Sequence, residues 1–97
     1  MQSLDRDTSE NVEVLKLSGN FDFKFFRQFR ELYEPVLRNS DICTIEIDLH
    51  GVDYIDSSAL GMLLQLREKA ADKKIVLSRC SAVVLEVAQF NRLFELH

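Results

Sequence analysis

The sequence predicts an α/β fold, with a mixed central sheet of four to five strands carrying about three helices. Three observations predict it. Segments rich in β-branched and aliphatic residues alternate with segments whose apolar residues recur at helical spacing, the order expected of a layered α/β domain. Three glycines and one proline are all that punctuate the chain, so short connections join well-formed elements. The length, 97 residues of which 46% are hydrophobic, suffices for one core and not for two, which makes residues 1–97 a single domain.

Residues 2–6 read as a weak strand that can pair as a hairpin with the next one across the polar turn Thr8-Ser9-Glu10-Asn11. Val12 to Ser18 is a strand, and Gly19-Asn20 ends it. Asp22 can cap a helix by accepting from the free N–H groups of its first turn. Phe25, Phe29, Leu32 and Val36 then follow at helical spacing, with Phe26, Tyr33 and Leu37 alongside. Pro35 falls late in this helix and bends or shortens it. Ile42 to Leu49 alternates, sending Ile45, Ile47 and Leu49 one way and Thr44, Glu46 and Asp48 the other, the pattern of a strand. His50-Gly51-Val52-Asp53 reads as a connection, and Tyr54-Ile55 leads into a helix from Ser57 to Ala71. Lys74 to Arg79 holds a short buried strand. Ser81 caps a third helix reaching about Phe90, and Leu93-Phe94-Glu95-Leu96 closes the chain as a short strand. Strands joined through helices pair in parallel, and the N-terminal hairpin makes the sheet mixed.

Composition excludes several functions. A formal net charge of −4 argues against a sequence-independent nucleic-acid binder, because phosphate binding needs a basic surface. No stretch approaches the length of a membrane span, and the mixed-charge start Met1-Gln2-Ser3-Leu4-Asp5-Arg6-Asp7 is no signal peptide, so a cytoplasmic location is expected. Cys43 and Cys80 read as two buried thiols. With His50 and His97 they show no zinc-ligand spacing, and neither a metal nor a cofactor is expected. Phe23, Phe25, Phe26 and Phe29 read as an apolar helix face with one or two rings exposed for a partner. Arg67-Glu68-Lys69 and Asp72-Lys73-Lys74 read as a solvated helix end.

One segment carries chemical information: Asp53-Tyr54-Ile55-Asp56-Ser57-Ser58-Ala59-Leu60-Gly61-Met62-Leu63-Leu64. It joins a strand to a helix through acidic residues and two adjacent hydroxyls. Asp56 or Ser57 is a natural N-cap. The unpaired N–H groups and the positive end of the helix dipole would partly accommodate a phosphate on Ser57, which adds about −1.5 to −2 charge. The residues alone fit either a plain stabilising N-cap or such a switch. In the helix that follows, Leu60, Leu63 and Leu64 can face the sheet, while Ala59, Met62 and Leu66 form a second apolar stripe for a neighbour or a partner. Gly61 costs about 1 kcal/mol against alanine, and close approach of another backbone or side chain would explain it.

Asp56-Ser57-Ser58-Ala59-Leu60-Gly61 resembles the Asp-Ser-Ser-Gly-Leu-Gly motif of STAS domains, the sulfate-transporter and anti-sigma-antagonist family. Leu17-Ser18-Gly19-Asn20-Phe21-Asp22 is similar to the family's early Leu-x-Gly-x-Leu-Asp strand end, and Ile45-Glu46-Ile47-Asp48-Leu49 to its central strand. The resemblance implies the SpoIIAA-like STAS fold. Ala59 stands where the family has glycine, and a chain stopping at His97 leaves the last helix of many members absent or vestigial. The combination of Phe21-Asp22-Phe23 with the serine motif resembles stand-alone HsbA-like antagonists, which are similar to partners of response-regulator proteins carrying kinase and phosphatase activities.

The resemblance implies an anti-sigma factor antagonist that is not an enzyme. The unphosphorylated form would bind an anti-sigma factor or related regulator, a serine kinase would phosphorylate Ser57 and switch that binding, and a PP2C-type phosphatase would reset it. Asp22, Asp53, Asp56, Ser58, Ala59 and Met62 would border the partner surface of a monomer. The alternative within the family is an unphosphorylated structural subunit of a larger complex, such as a lipid-transport ATPase. A third reading takes Glu46, Asp48, Asp53 and Asp56 as an acidic cluster holding Mg²⁺ for phosphotransfer, but the chain supplies no activating base beside it.

Overall fold

The computed structural model describes residues 11–81 and the strand at 95–96. Within them the elements run β1 (Val12–Phe21), a 3-10 turn (Phe23–Phe25), α1 (Phe26–Leu37), β2 (Thr44–Ile55), α2 (Ser57–Lys69), β3 (Lys74–Ser78) and β4 (Glu95–Leu96). The strands form one sheet in the order β1-β2-β3-β4, every neighbour parallel. Parallel neighbours need crossovers, and right-handed crossovers that step the same way along a sheet place their helices on the same face. One apolar cluster therefore joins Leu15, Leu17 and Phe21 of β1, Ile45, Ile47 and Leu49 of β2, and Leu77 of β3 to Phe29 and Tyr33 of α1 and Leu63 and Leu66 of α2. The predicted strand at 2–6, which would make the sheet mixed, and the predicted third helix from Ser81 to Phe90 fall largely outside the described residues.

Two boundaries depart from the sequence reading. β1 runs on through Gly19-Asn20, and β2 runs through His50-Gly51-Val52-Asp53, which is strand and not connection. The cause is a pair of irregularities in the β1–β2 register. β2 carries an extra residue between the pairs Lys16↔Asp48 and Ser18↔Gly51, and another, Asp53, between Gly19↔Val52 and Asn20↔Tyr54. Glycines make both possible. Gly19 adopts φ +81°, and a side chain on Gly51 would meet the Leu17 carbonyl oxygen at 3.0 Å. Turn-forming residues here bend a strand without ending it.

Smaller corrections follow from packing. Pro35 sits in the last turn of α1, which ends two residues later. Cys43 is exposed and not buried; Cys80 is half-buried, and burial pushes its thiol up to about 11. Lys73 is no solvated lysine. Its ammonium is buried and donates to the carbonyl oxygens of Asn39 (2.9 Å) and Ile42 (2.8 Å), closing the loop between α1 and β2.

Candidate functional site

The carboxyl ends of β1 and β2 lie side by side, with Phe21 paired to Ile55. Both residues are buried and fix the height at which their strands stop. Phe21 is held by the rings of Phe25 and Phe29, at centroid distances of 5.7 and 5.3 Å. The next residue on each strand is an aspartate, and each aspartate caps the helical turn that follows. Asp22 accepts from the Lys24 N–H at 3.0 Å, and Asp56 from the Ser58 N–H at 3.0 Å. Asp56 is in extended backbone, as an N-cap must be. The same carboxylate oxygen also accepts from the Ser58 hydroxyl.

This geometry separates the two adjacent serines. Ser58 is half-buried and its hydroxyl is committed to Asp56. Ser57 is the first residue of α2 and is exposed. Among the described residues its hydroxyl has no hydrogen-bond partner. A hydroxyl there is reachable from outside and sits where the helix leaves N–H groups unpaired.

The other predicted site residues divide. Asp22 and Asp56 flank Ser57 on neighbouring strand ends, and Asp53, the bulged residue of β2, is exposed near the same end. Ala59 and Met62 do not join them on the surface. They are 0% and 7% exposed, and with Leu63 and Leu66 they form the stripe that α2 buries against the sheet. The stripe expected to be secondary is thus the core stripe, and Leu60 and Leu64 are left half-buried at its edges. Gly61 is exposed, and a side chain added there would meet nothing within 4 Å, so among the described residues nothing explains it by close approach. It lies instead on a shallow groove bordered by Ser58, Met62, Leu64, Gln65 and Glu68.

The acidic residues read as a possible cation site are split. Glu46 accepts from the Ser78 hydroxyl at 2.8 Å. Asp48 is buried and is gripped by Arg79 through two bonds of 2.8 and 3.2 Å. Those bonds, with a third from the His50 N–H, hold its carboxyl below the usual carboxylate range. Asp56 lies just past the far end of the same strand, eight residues on from Asp48 and roughly 25 Å away at the rise of a strand. Among the described residues no group of three metal-ligating side chains forms. The alternating pattern put Glu46 and Asp48 on one face but could not reveal their partners on β3, which needs the register Asp48↔Ser78.

Comparison with known proteins identifies the family and the fold. The family model described as "Mlab, STAS domain" matches residues 4–96. The STAS-domain containing protein PA14_20770 of Pseudomonas aeruginosa (strain UCBPP-PA14) is 38% identical over 88 residues, covering 86% of this chain and 85% of its own. Among solved structures, the anti-sigma factor antagonist SpoIIAA in its unphosphorylated form superposes with a TM-score of 0.69 at 20% identity, over 91% of this chain and 80% of that one. A sulfate transporter family protein from Wolinella succinogenes gives a TM-score of 0.65 at 20% identity, over 84% of this chain and 66% of that one. Both superpositions establish the fold. Among the described residues no helix is long and apolar enough to cross a membrane.

Proposed function

The chain belongs to the STAS domain family, and from that premise we propose that it is a partner switch of the anti-sigma factor antagonist kind, controlled by phosphorylation of Ser57. The observation that carries the reading is the division between the two serines: Ser57 is exposed with an uncommitted hydroxyl, and Ser58 is tied to Asp56. A serine kinase would transfer the terminal phosphoryl group of ATP to the Ser57 oxygen. The new P–O bond replaces the bond to the nucleotide, and the hydroxyl proton leaves to solvent or to the kinase. A PP2C-type phosphatase would reverse the state by hydrolysis. The chain itself would supply a surface and no catalytic group.

The switch follows from electrostatics. The added charge of about −1.5 to −2 would sit between Asp22 and Asp56 and beside Asp53. The unpaired N–H groups of α2 stabilise the phosphate on this chain, while a regulator docked over Ser57 would have to desolvate it. That costs several kcal/mol, and each ~1.4 kcal/mol is tenfold in affinity. Gly61, one turn beyond Ser57 on the exposed side of α2, leaves room for a regulator to approach closely.

The test is affinity capture with wild-type, Ser57→Ala and Ser57→Asp chains, read by mass spectrometry for partners and for phosphate. The switch predicts one phosphorylated peptide containing Ser57, its loss in Ser57→Ala with partner retained, and weakened capture by Ser57→Asp. A partner held equally by all three, with no phosphate found, would instead identify a structural subunit clamped to a larger assembly.

A further inference from the structure

Two adjacent hydroxyls open α2, and both can be approached from outside. Ser57 is exposed, and Ser58, although half-buried, borders the shallow groove along α2 with Gly61 and Leu64. Access alone therefore does not choose between them as phosphoryl acceptors. Where each proton points does differ. One oxygen of the Asp56 carboxylate accepts from the Ser58 N–H at 3.0 Å and also from the Ser58 hydroxyl, and two donors of one residue fix the carboxylate on that side. Among the described residues the Ser57 hydroxyl has no partner. Capping needs only the bond to the N–H, as Asp22 shows at the turn before α1, where it accepts from the Lys24 N–H at 3.0 Å. The hydroxyl bond at Asp56 is additional to the cap.

We infer that Asp56 is the specificity-determining residue of this corner: it withholds the Ser58 hydroxyl from phosphoryl transfer and leaves Ser57 as the acceptor. The inference rests on the switch reading at Ser57 and names what directs the phosphate there. In the transfer a bond forms between the serine oxygen and the terminal phosphorus of ATP, and the bond from that phosphorus to the ADP oxygen breaks. The hydroxyl proton passes to a base of the kinase. The Ser57 proton is free to turn to such a base. The Ser58 proton is held by a carboxylate of its own chain, and a hydrogen bond to a charged acceptor makes the turned-out hydroxyl roughly tenfold rarer or more. Asp56 acts here as an acceptor oxygen, so an amide oxygen in its place should retain most of the selection.

The experiment expresses the full chain and its variants in its own cells and measures phosphate at each serine by site-resolved mass spectrometry. Wild type should carry phosphate on Ser57 alone. Asp56→Ala should raise Ser58 occupancy by about tenfold or more. Asp56→Ala combined with Ser57→Ala should be phosphorylated at Ser58, whereas Ser57→Ala with Asp56 intact should not. Asp56→Asn should stay close to wild type. Lys73→Met loses stability at the opposite end of the strands and should keep its phosphate on Ser57, so a redistribution in Asp56→Ala is not a consequence of weaker folding. Phosphate confined to Ser57 in wild type and Asp56→Ala alike would overturn the inference and leave the switch reading standing. Phosphate on Ser58 in wild type that disappears in Asp56→Ala would also overturn it, since Asp56 would then be activating Ser58 as a base. A wild-type chain with no phosphate on either serine would overturn the switch reading and the inference with it.

Discussion

Asp56 and Ser57 are neighbours with separate tasks, and their variants separate those tasks. Asp56 satisfies the Ser58 N–H and hydroxyl, so Asp56→Ala should cost about 1 kcal/mol, seen as a lower urea midpoint at unchanged slope. Ser57 makes no side-chain bond among the described residues, so Ser57→Ala should stay within about 0.5 kcal/mol of wild type. A large loss in Ser57→Ala would mean that the hydroxyl is structural. The cysteines divide in the same way. Cys43 is exposed and should react with a maleimide under native conditions. Cys80, half-buried with its thiol pushed up to about 11, should react only slowly until the chain is unfolded. The motif made the serines legible in the sequence. The resemblance singled out Ser57 as well, but the residues alone did not, because which hydroxyl is committed depends on one hydrogen bond from Ser58 to Asp56.

At the scale of elements, α1 and α2 show what periodicity reveals and what it leaves open. It located both helices, but α2 is apolar around most of its circumference, so spacing alone could not choose which stripe faces the sheet. The choice fell to Ala59, Met62, Leu63 and Leu66 once Ile55 and Asp56 fixed where the helix starts. The strand ends were misread at Gly19 and Gly51 because glycine marks a bulge as readily as a turn. The loop between α1 and β2 hangs on a lysine that the sequence presented as one charge in a solvated run. Lys73→Met keeps the length of the side chain and leaves the Ile42 carbonyl without its donor, while the Asn39 carbonyl keeps only the Ile42 N–H. It should cost about 1–3 kcal/mol in chemical denaturation, whereas Lys74→Met, at an exposed position, should cost well under that.

For the whole molecule, one parallel sheet with both helices on the same face brings the ends of β1 and β2 together, so two N-caps and one exposed hydroxyl share a corner. The α/β order predicted this layer. The pairing of Asp48 with Arg79 across the sheet was not predictable, since neither residue is near the other in sequence. That pair gives stability a pH dependence. The carboxyl of Asp48 ionises more readily folded than unfolded, so its contribution is full above the ordinary carboxylate value of about 4 and is lost as pH falls through the lower folded value. Asp48→Asn should therefore flatten the decline in melting temperature below about pH 4, where wild type falls more steeply. The central claim concerns the corner at Ser57. Its most direct measurement is site-resolved mass spectrometry of the chain isolated from its own cells, both alone and in complex with whatever protein it retains. The account predicts a single phosphoryl group, on Ser57, in the free chain and none in the complexed chain. Phosphate on Ser58, or the same phosphate occupancy in both fractions, would contradict it.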